Sequence, residues 1–223
     1  MNFDRFVIGE AGTCHAAVWR PNRLSLALKY VSAAAEAGAS AIKFQMFNAP
    51  MDDMFCWIDG DEERSLRWLD SVLSLDDWRE VKIAAEAEGL VFLASVFQHS
   101  TVHWLNRLNV VAVKVASRAA KDFPYDASNG PFLVSHGMYE TVPCKGEQLH
   151  LQCEANYPST TWWDGHSFGF SDHSGTPERA IDALNRGCNL IEVHFYVEPS
   201  EAGPDLPASL TTDELALVCK EIR

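Results

Sequence analysis

Short apolar runs recur along the chain, at 6–8, 41–44, 91–94, 110–116, 131–134, 149–153, 167–170 and 190–195, and each is followed by a polar or charged residue. This layout constrains the fold more than any other feature. The runs are short and rich in β-branched and aromatic residues, as strands buried on both faces are. Helical stretches separate several of them, at 23–37, 75–88, 101–108, 177–186 and 211–222. Gly38, Gly89 and Gly187 stand where helix ends are expected, and Pro177 and Thr211 where helices begin. Strands alternating with helices imply a parallel α/β fold, and eight of them imply a closed (β/α)8 TIM barrel.

At 223 residues the chain is short for that barrel. The shortage is local. The connections at 135–148 and 154–166 are brief and contain Pro143, Gly146, Pro158 and Gly165, and a full crossover helix needs about a dozen residues. A single barrel domain over 1–223 is expected, with outer helices reduced or missing after strands four to six. Strands left bare need cover. Trp162, Trp163 and Tyr139, the loops themselves, or a second copy of the chain could supply it, so a homodimer is expected.

Composition narrows the partners. With 18 Lys+Arg against 31 Asp+Glu the formal charge is −13, which disfavours nucleic acid and anionic membranes. There is no run of apolar residues long enough for a membrane span. The opening residues lack the pattern of a secretion signal, and the six cysteines form no C-x-x-C pair. Reduced thiols in a cytoplasm are the simplest expectation.

In such a barrel the chemistry gathers at the carboxyl ends of the strands. Those positions are Glu10, Lys43 with Gln45, Ser95, Lys114 with Ser117, Ser135 with His136, Gln152, Ser171-Asp172-His173 and His194. Lysines and hydroxyls converging on one mouth suit a phosphate or a carboxylate. A strand-end lysine is commonly a solvated charge, but Lys43 and Lys114 lie inside apolar runs, where a cation needs a partner or a ligand. Two neutral imidazoles on adjacent strands could hold a divalent metal. Equally, His194 could be a hydrogen-bonded core histidine and His173 a loop residue. Of the other histidines, His15 is the best site candidate.

These motifs resemble the sialic acid synthase family, which condenses phosphoenolpyruvate with an N-acylated amino sugar. The similar segments are F-V-I-G-E-A-G-T-C-H at 6–15, A-G-A-S-A-I-K-F-Q at 37–45, V-F-L-A-S-V-F at 91–97, V-A-V-K-V-A-S at 111–117 and P-F-L-V-S-H-G-M at 131–138. C-E-A-N-Y-P at 153–158, G-F-S-D-H-S-G at 169–175, I-E-V-H-F at 191–195, G-P-D at 203–205 and S-L-T-T-D-E-L at 209–215 complete the series. The resemblance implies a TIM barrel in which Lys43, Ser95, Lys114, Ser117, Ser135 and Ser171, with Gln45, contact phosphoenolpyruvate. It implies His173 and His194 as ligands of Mn2+ or Mg2+, and Glu10, Tyr157 and Asp205 as contacts to the sugar acceptor. Glu10, His136 and Lys114 are the catalytic candidates.

The departures are equally specific. The family's K-I-A-S-G-E ends in a glutamate that handles protons, whereas here Arg118 and Ala119 follow Ser117. The family's N-H is Cys14-His15, and its H-C-T-[SN] is Gln152-Cys153-Glu154-Ala155, with Asn156 one position on available to compensate. The sequence ends at Arg223, where the family continues into an antifreeze-like domain, so it reads as a short, divergent barrel. Three functions follow. They are a nonulosonic acid synthase, weakened by the lost glutamate; a non-catalytic homologue that binds anion or metal as a binding subunit; and a lyase or condensing enzyme acting on a different aldehyde. On the first, Glu10, His136 or Glu154 would replace the missing acid/base, and restoring Glu at 119 would raise turnover.

Overall fold

The computed structural model describes residues 3–56, 61–138 and 148–222. The chain runs β1 (Phe6–Gly12), α1 (Arg23–Ala37), β2 (Ala41–Met46), α2 (Glu62–Asp70), α3 (Leu75–Ala87), β3 (Val91–Val96), α4 (His99–Leu108), β4 (Val113–Val115) and β5 (Phe132–His136). It continues β6 (Gln148–Cys153), β7 (Gly169–Asp172), α5 (Pro177–Asn185), β8 (Leu190–Tyr196), α6 (Pro199–Ala202), β9 (Ser209–Thr211) and α7 (Thr212–Lys220). Successive strands pair in parallel, and β1 pairs with β8 from Phe6–Leu190 to Glu10–His194. That pairing closes an eight-strand barrel. β9 is an addition outside the ring, pairing only with the end of β8.

The expected helices form, with their ends where the local chemistry puts them. Gly38 ends α1 at φ 86°, a left-handed conformation that costs glycine little. Ser74 and Asp77 close a capping box on α3, as Thr211 and Glu214 do on α7. α2 was not legible in the sequence. Its nine residues bury only Trp68 and leave Leu66 and Leu69 exposed, so its buried face is a single side chain. Asp61 caps it by accepting the Arg64 backbone N–H.

The helix deficit lies where expected, as far as the structure describes it. Only a 3-10 turn, Tyr125–Ala127, stands between β4 and β5, and no helix stands between β6 and β7. The connection after β5, with Tyr139, falls largely outside the described residues. Phe123, Tyr125 and Phe132 pack edge-to-face beside β5. Trp163 is buried with Arg186 over its ring, while Trp162 is half exposed beneath Arg179. No helix among the described residues is long and apolar enough to cross a membrane.

Alternation along the strands builds two layers inside the barrel. Ile8, Ala41, Leu93, Ala112, Leu133, Leu151 and Leu190 form an apolar plug at the amino end. Two residues further along the same strands stand Glu10, Lys43, Ser95, Lys114, Ser135, Cys153 and Glu192. A strand repeats its facing every second residue, so this polar set lies directly above the plug and faces inward with it.

Candidate active site

The polar layer opens into a cavity of about 360 Å³ at the carboxyl end of the barrel. Glu10, Lys43, Gln45, Ser95, Lys114, Ser117, Ser135, Tyr157, Ser171, His173 and His194 all line it. Seven strands or their carboxyl ends and the β6–β7 loop thus bring together eleven residues that are far apart in the chain.

The deep end holds two cations and two carboxylates, all buried. Lys43 Nζ lies 2.8 Å from Glu10 Oε2, 3.7 Å from Glu192 Oε2 and 3.1 Å from Ser95 Oγ. Lys114 Nζ donates to Ser135 Oγ at 2.7 Å and lies 3.5 Å from Glu192 Oε1, which also accepts from Ser171 Oγ at 2.9 Å. Burial alone would lower the pKa of both lysines. For Lys43 the charges of Glu10 and Glu192 reverse this and hold it above the ordinary value. For Lys114 burial wins, and repulsion from Lys43 adds to it. The carboxylates divide in the same way. Burial lifts Glu10 above the usual range, whereas in Glu192 the pull of Lys114 and Lys43 outweighs burial and holds it below. Neither oxygen of Glu10 accepts a well-angled hydrogen bond among the described residues, despite the close approach of Lys43.

Beside this cluster stand the two imidazoles. Their ring centroids are 5.3 Å apart, and Tyr157 OH lies 3.3 Å from His173 Nε2 and 3.4 Å from His194 Nε2. The Nε2 edges therefore converge on one point. His173 Nδ1 meets the Glu154 carbonyl at 2.7 Å, much closer than the Cys153 sulfur at 3.7 Å. The carbonyl thus takes the Nδ1 proton, so in the neutral ring the lone pair is on Nε2. His194 Nδ1 lies 4.0 Å from Asp205 Oδ2, and burial pushes its pKa down to about 3, so it is neutral. For His173 burial lowers the pKa, but Cys153 and the Glu154 carbonyl outweigh it and raise it above the ordinary value. Two imidazoles, each with Nδ1 against an oxygen and Nε2 turned to a common point, fit a divalent ion, which would displace the His173 Nε2 proton. No cluster of three or more His, Cys, Asp or Glu placed to hold a metal exists among the described residues.

Asp205 does not line the cavity but backs His194 from the 3-10 turn Gly203–Ala208. Gly175 allows that placement: with φ 71°, a Cβ there would come within 2.3 Å of the Pro207 carbonyl. Arg64 Nη1 holds Asp205 Oδ1 at 3.0 Å, its Nε holds Asp61 at 3.1 Å, and its guanidinium lies 6.0 Å from the Tyr157 ring. Cys56, Phe97 and Arg118 complete this side of the wall. Arg118 lies over Trp68, 5.9 Å from its centroid, and its carbonyl accepts from the Cys56 thiol.

Several expectations are corrected. His136 follows the inward Ser135, so it faces the other way and meets His150 outside the cavity. Gln152 likewise points outward, bonding Trp162 and Asp164 of the next loop. Asn156 does not compensate, because its amide donates to Glu154 and Ala155 lines the cavity instead. The Glu154 carboxylate accepts from Ser159, Thr160 and Thr161, which holds its pKa down at about 2 and leaves it no role as an acid/base. His15 is buried against Phe44 and Trp78, bonded to the Ser71 carbonyl. Ala119 is fully buried in the apolar layer outside the barrel and does not line the cavity. Sequence reasoning missed Glu192 and Arg64. Glu192 could have been found from spacing, since it stands two residues from His194 and shares its face.

The fold and this mouth define a parallel (β/α)8 barrel with its site at the carboxyl ends of the strands. The sequence profile of the NeuB family matches residues 30–223, and the chain belongs to that family. The spore coat polysaccharide biosynthesis protein SpsE of Bacillus subtilis is 29% identical over 98% of this chain and 66% of its own length. N,N'-diacetyllegionaminic acid synthase of Campylobacter jejuni is 27% identical over 97% of this chain and 75% of its own. N-acetylneuraminate-9-phosphate synthase of Homo sapiens is 28% identical over 98% and 69%. The chain thus spans 66% to 75% of the length of these relatives. Among solved structures, N-acetylneuraminic acid synthetase from Leptospira borgpetersenii shares the fold with a TM-score of 0.77 at 23% identity, covering 97% of this chain and 82% of that one.

Proposed function

We propose that the chain condenses phosphoenolpyruvate with an N-acylated amino sugar to give a nonulosonic, sialic-type acid, with a divalent metal held by His173 and His194. One observation carries this: two buried lysines enter the same cavity as the converging Nε2 edges of two histidines. Family membership and the names of the relatives support it.

Lys43 and Lys114, with Ser95, Ser117, Ser135 and Ser171, bind the carboxylate and phosphate by charge-assisted hydrogen bonds, each contributing roughly 1.5–3 kcal/mol. The metal, Mn2+ or Mg2+, would polarise the acceptor's aldehyde oxygen. Carbon three of the enolpyruvate then bonds to the aldehyde carbon, water adds at carbon two, and phosphate leaves. Glu10 is the cavity carboxyl with a raised proton affinity, and it holds the proton in this exchange. No carboxylate reaches the cavity from position 119, so turnover is reduced, since a lost acid/base costs about 10²–10⁴-fold. Half-exposed Trp162, beside the strands without a helix, is assigned to contact with a second copy.

Phosphate release with phosphoenolpyruvate, Mn2+ and a panel of N-acyl hexosamines tests the reaction. Lys114→Met should weaken phosphoenolpyruvate binding at least about tenfold, and His194→Ala should abolish Mn2+ binding with the fold intact. Equal phosphoenolpyruvate affinity in the Lys114 variant refutes the assignment.

A further inference from the structure

Arg118 is a departure that this cavity has absorbed without neutralising it. The deep lysines are matched in number by Glu10 and Glu192, and Arg64 is held by Asp61 and Asp205. Arg118 has no such ion pair among the described residues. Its Nη1 is buried and lacks any hydrogen-bond acceptor among the described residues, yet the residue lies on the cavity wall. An unpaired guanidinium N–H removed from water is costly, and a guanidinium does not lose its proton at working pH. Its position is also fixed: Trp68 lies under it, and Trp68 in turn packs near-parallel against both Phe47 and Phe97, which face each other as well. Arg64, a like charge, acts on it, and the Arg64 guanidinium itself lies 6.0 Å from the Tyr157 ring. Arg118 therefore belongs to the Tyr157 side of the cavity rather than to the lysine cluster.

We infer that Arg118 is a specificity-determining residue that pairs with an anionic group, a phosphate or a carboxylate, on the acceptor. The inference rests on the reading that an acceptor aldehyde binds on the Tyr157 side. A planar, stacked guanidinium with free donors matches both oxyanions. A neutral acceptor would leave Nη1 unpaired and the charge uncompensated. This chain would thus prefer a negatively charged amino sugar over its neutral parent, by at least about tenfold in affinity, the low end for one charge-assisted contact.

The test titrates the protein, with and without phosphoenolpyruvate and Mn2+, with N-acetylmannosamine, its 6-phosphate and its 6-uronic acid. Wild type should bind one of the two anions at least about tenfold tighter than the neutral sugar, and which one it is identifies the oxyanion. Arg118→Met should erase that ratio and Arg118→Lys should keep part of it, with phosphoenolpyruvate affinity unchanged in both. Wild type that binds no acceptor, or binds the three equally, overturns the inference, as does Arg118→Met that keeps the preference. A guanidinium serving only to cover Trp68 would lower the melting temperature on substitution and leave the ratio alone. Loss of phosphoenolpyruvate binding in wild type would instead refute the condensation reading, while the titrations without it still decide the role of Arg118.

Discussion

Lys114 Nζ and Glu192 Oε1 lie 3.5 Å apart at the bottom of the cavity, on strands β4 and β8. Both are buried, and Glu192 Oε1 also accepts from Ser171. Removing one partner of a buried pair leaves the other uncompensated, at a cost of roughly 3–5 kcal/mol. Glu192→Gln should therefore lower unfolding free energy by about 3 kcal/mol in chemical denaturation. Adding Lys114→Met should restore at least about 1 kcal/mol of that loss. Strictly additive losses would show that the two charges do not stabilise one another.

Position 119 gives a second test. Ala119 is fully buried among apolar side chains. A carboxylate there has no cavity to enter, and burying one without a partner costs at least about 2 kcal/mol. Ala119→Glu should destabilise the protein by that order, with no gain in phosphate release. A gain in turnover at unchanged stability would mean that the side chain finds its way to the mouth.

Acid stability should depend on His15. Burial pushes its pKa from 6.5 down to about 4, so the folded state keeps it neutral. Above pH 6.5 neither state is charged and the group's contribution is fully present. As pH falls from 6.5 to about 4 the unfolded chain gains a proton that the folded chain refuses. That window should cost roughly 3 kcal/mol. His15→Gln, which can still donate to the Ser71 carbonyl, should flatten the slope of unfolding free energy over those pH values. An unchanged slope would place the acid sensitivity elsewhere.

Glu154 organises the loop that presents Tyr157. Its Oε2 accepts from Ser159 Oγ at 2.7 Å and from the Thr160 and Thr161 backbone N–H groups at 3.0 Å each. Glu154→Ala should open residues 154–162 to thermolysin while the melting temperature moves little. It should also weaken Mn2+ binding, because Tyr157 and the Glu154 carbonyl both touch His173. Full protection in the variant would show that the loop is held by other contacts.

The barrel was legible because it repeats one local pattern. Each strand is an apolar run ended by a polar residue, and five helices carry their own caps and stripes. α2 broke that rule: it buries one side chain, Trp68 against Phe47 and Phe97, and Arg64 and Arg67 tie it to Asp205 and Thr13. Lys43, Lys114 and His194 could be picked out one at a time, since a charge or an imidazole embedded in an apolar run is rare, whereas His173 sits just past a run and was marked by its place at a strand end. Their partners could not. Glu192 pairs with Lys43 and Lys114 across positions 149 and 78 residues away in sequence, and Arg64 reaches Asp205 from a helix that the pattern did not show.

The amino-acid sequence alone determined that this chain forms strands and helices in alternation, and which strand ends carry polar groups. Those properties are local, set by side-chain period, caps and turns within a few residues. Tertiary structure decided which polar groups meet. Closure of β1 on β8 sets the register, and the register places Ser135 inside and His136 outside. It also turned Glu154 into a loop anchor, sent Ala119 into the apolar layer and left Arg118 on the cavity wall with its Nη1 unbonded among the described residues. Charge pairing and burial act through distances in space, and those distances exist only once the ring has closed.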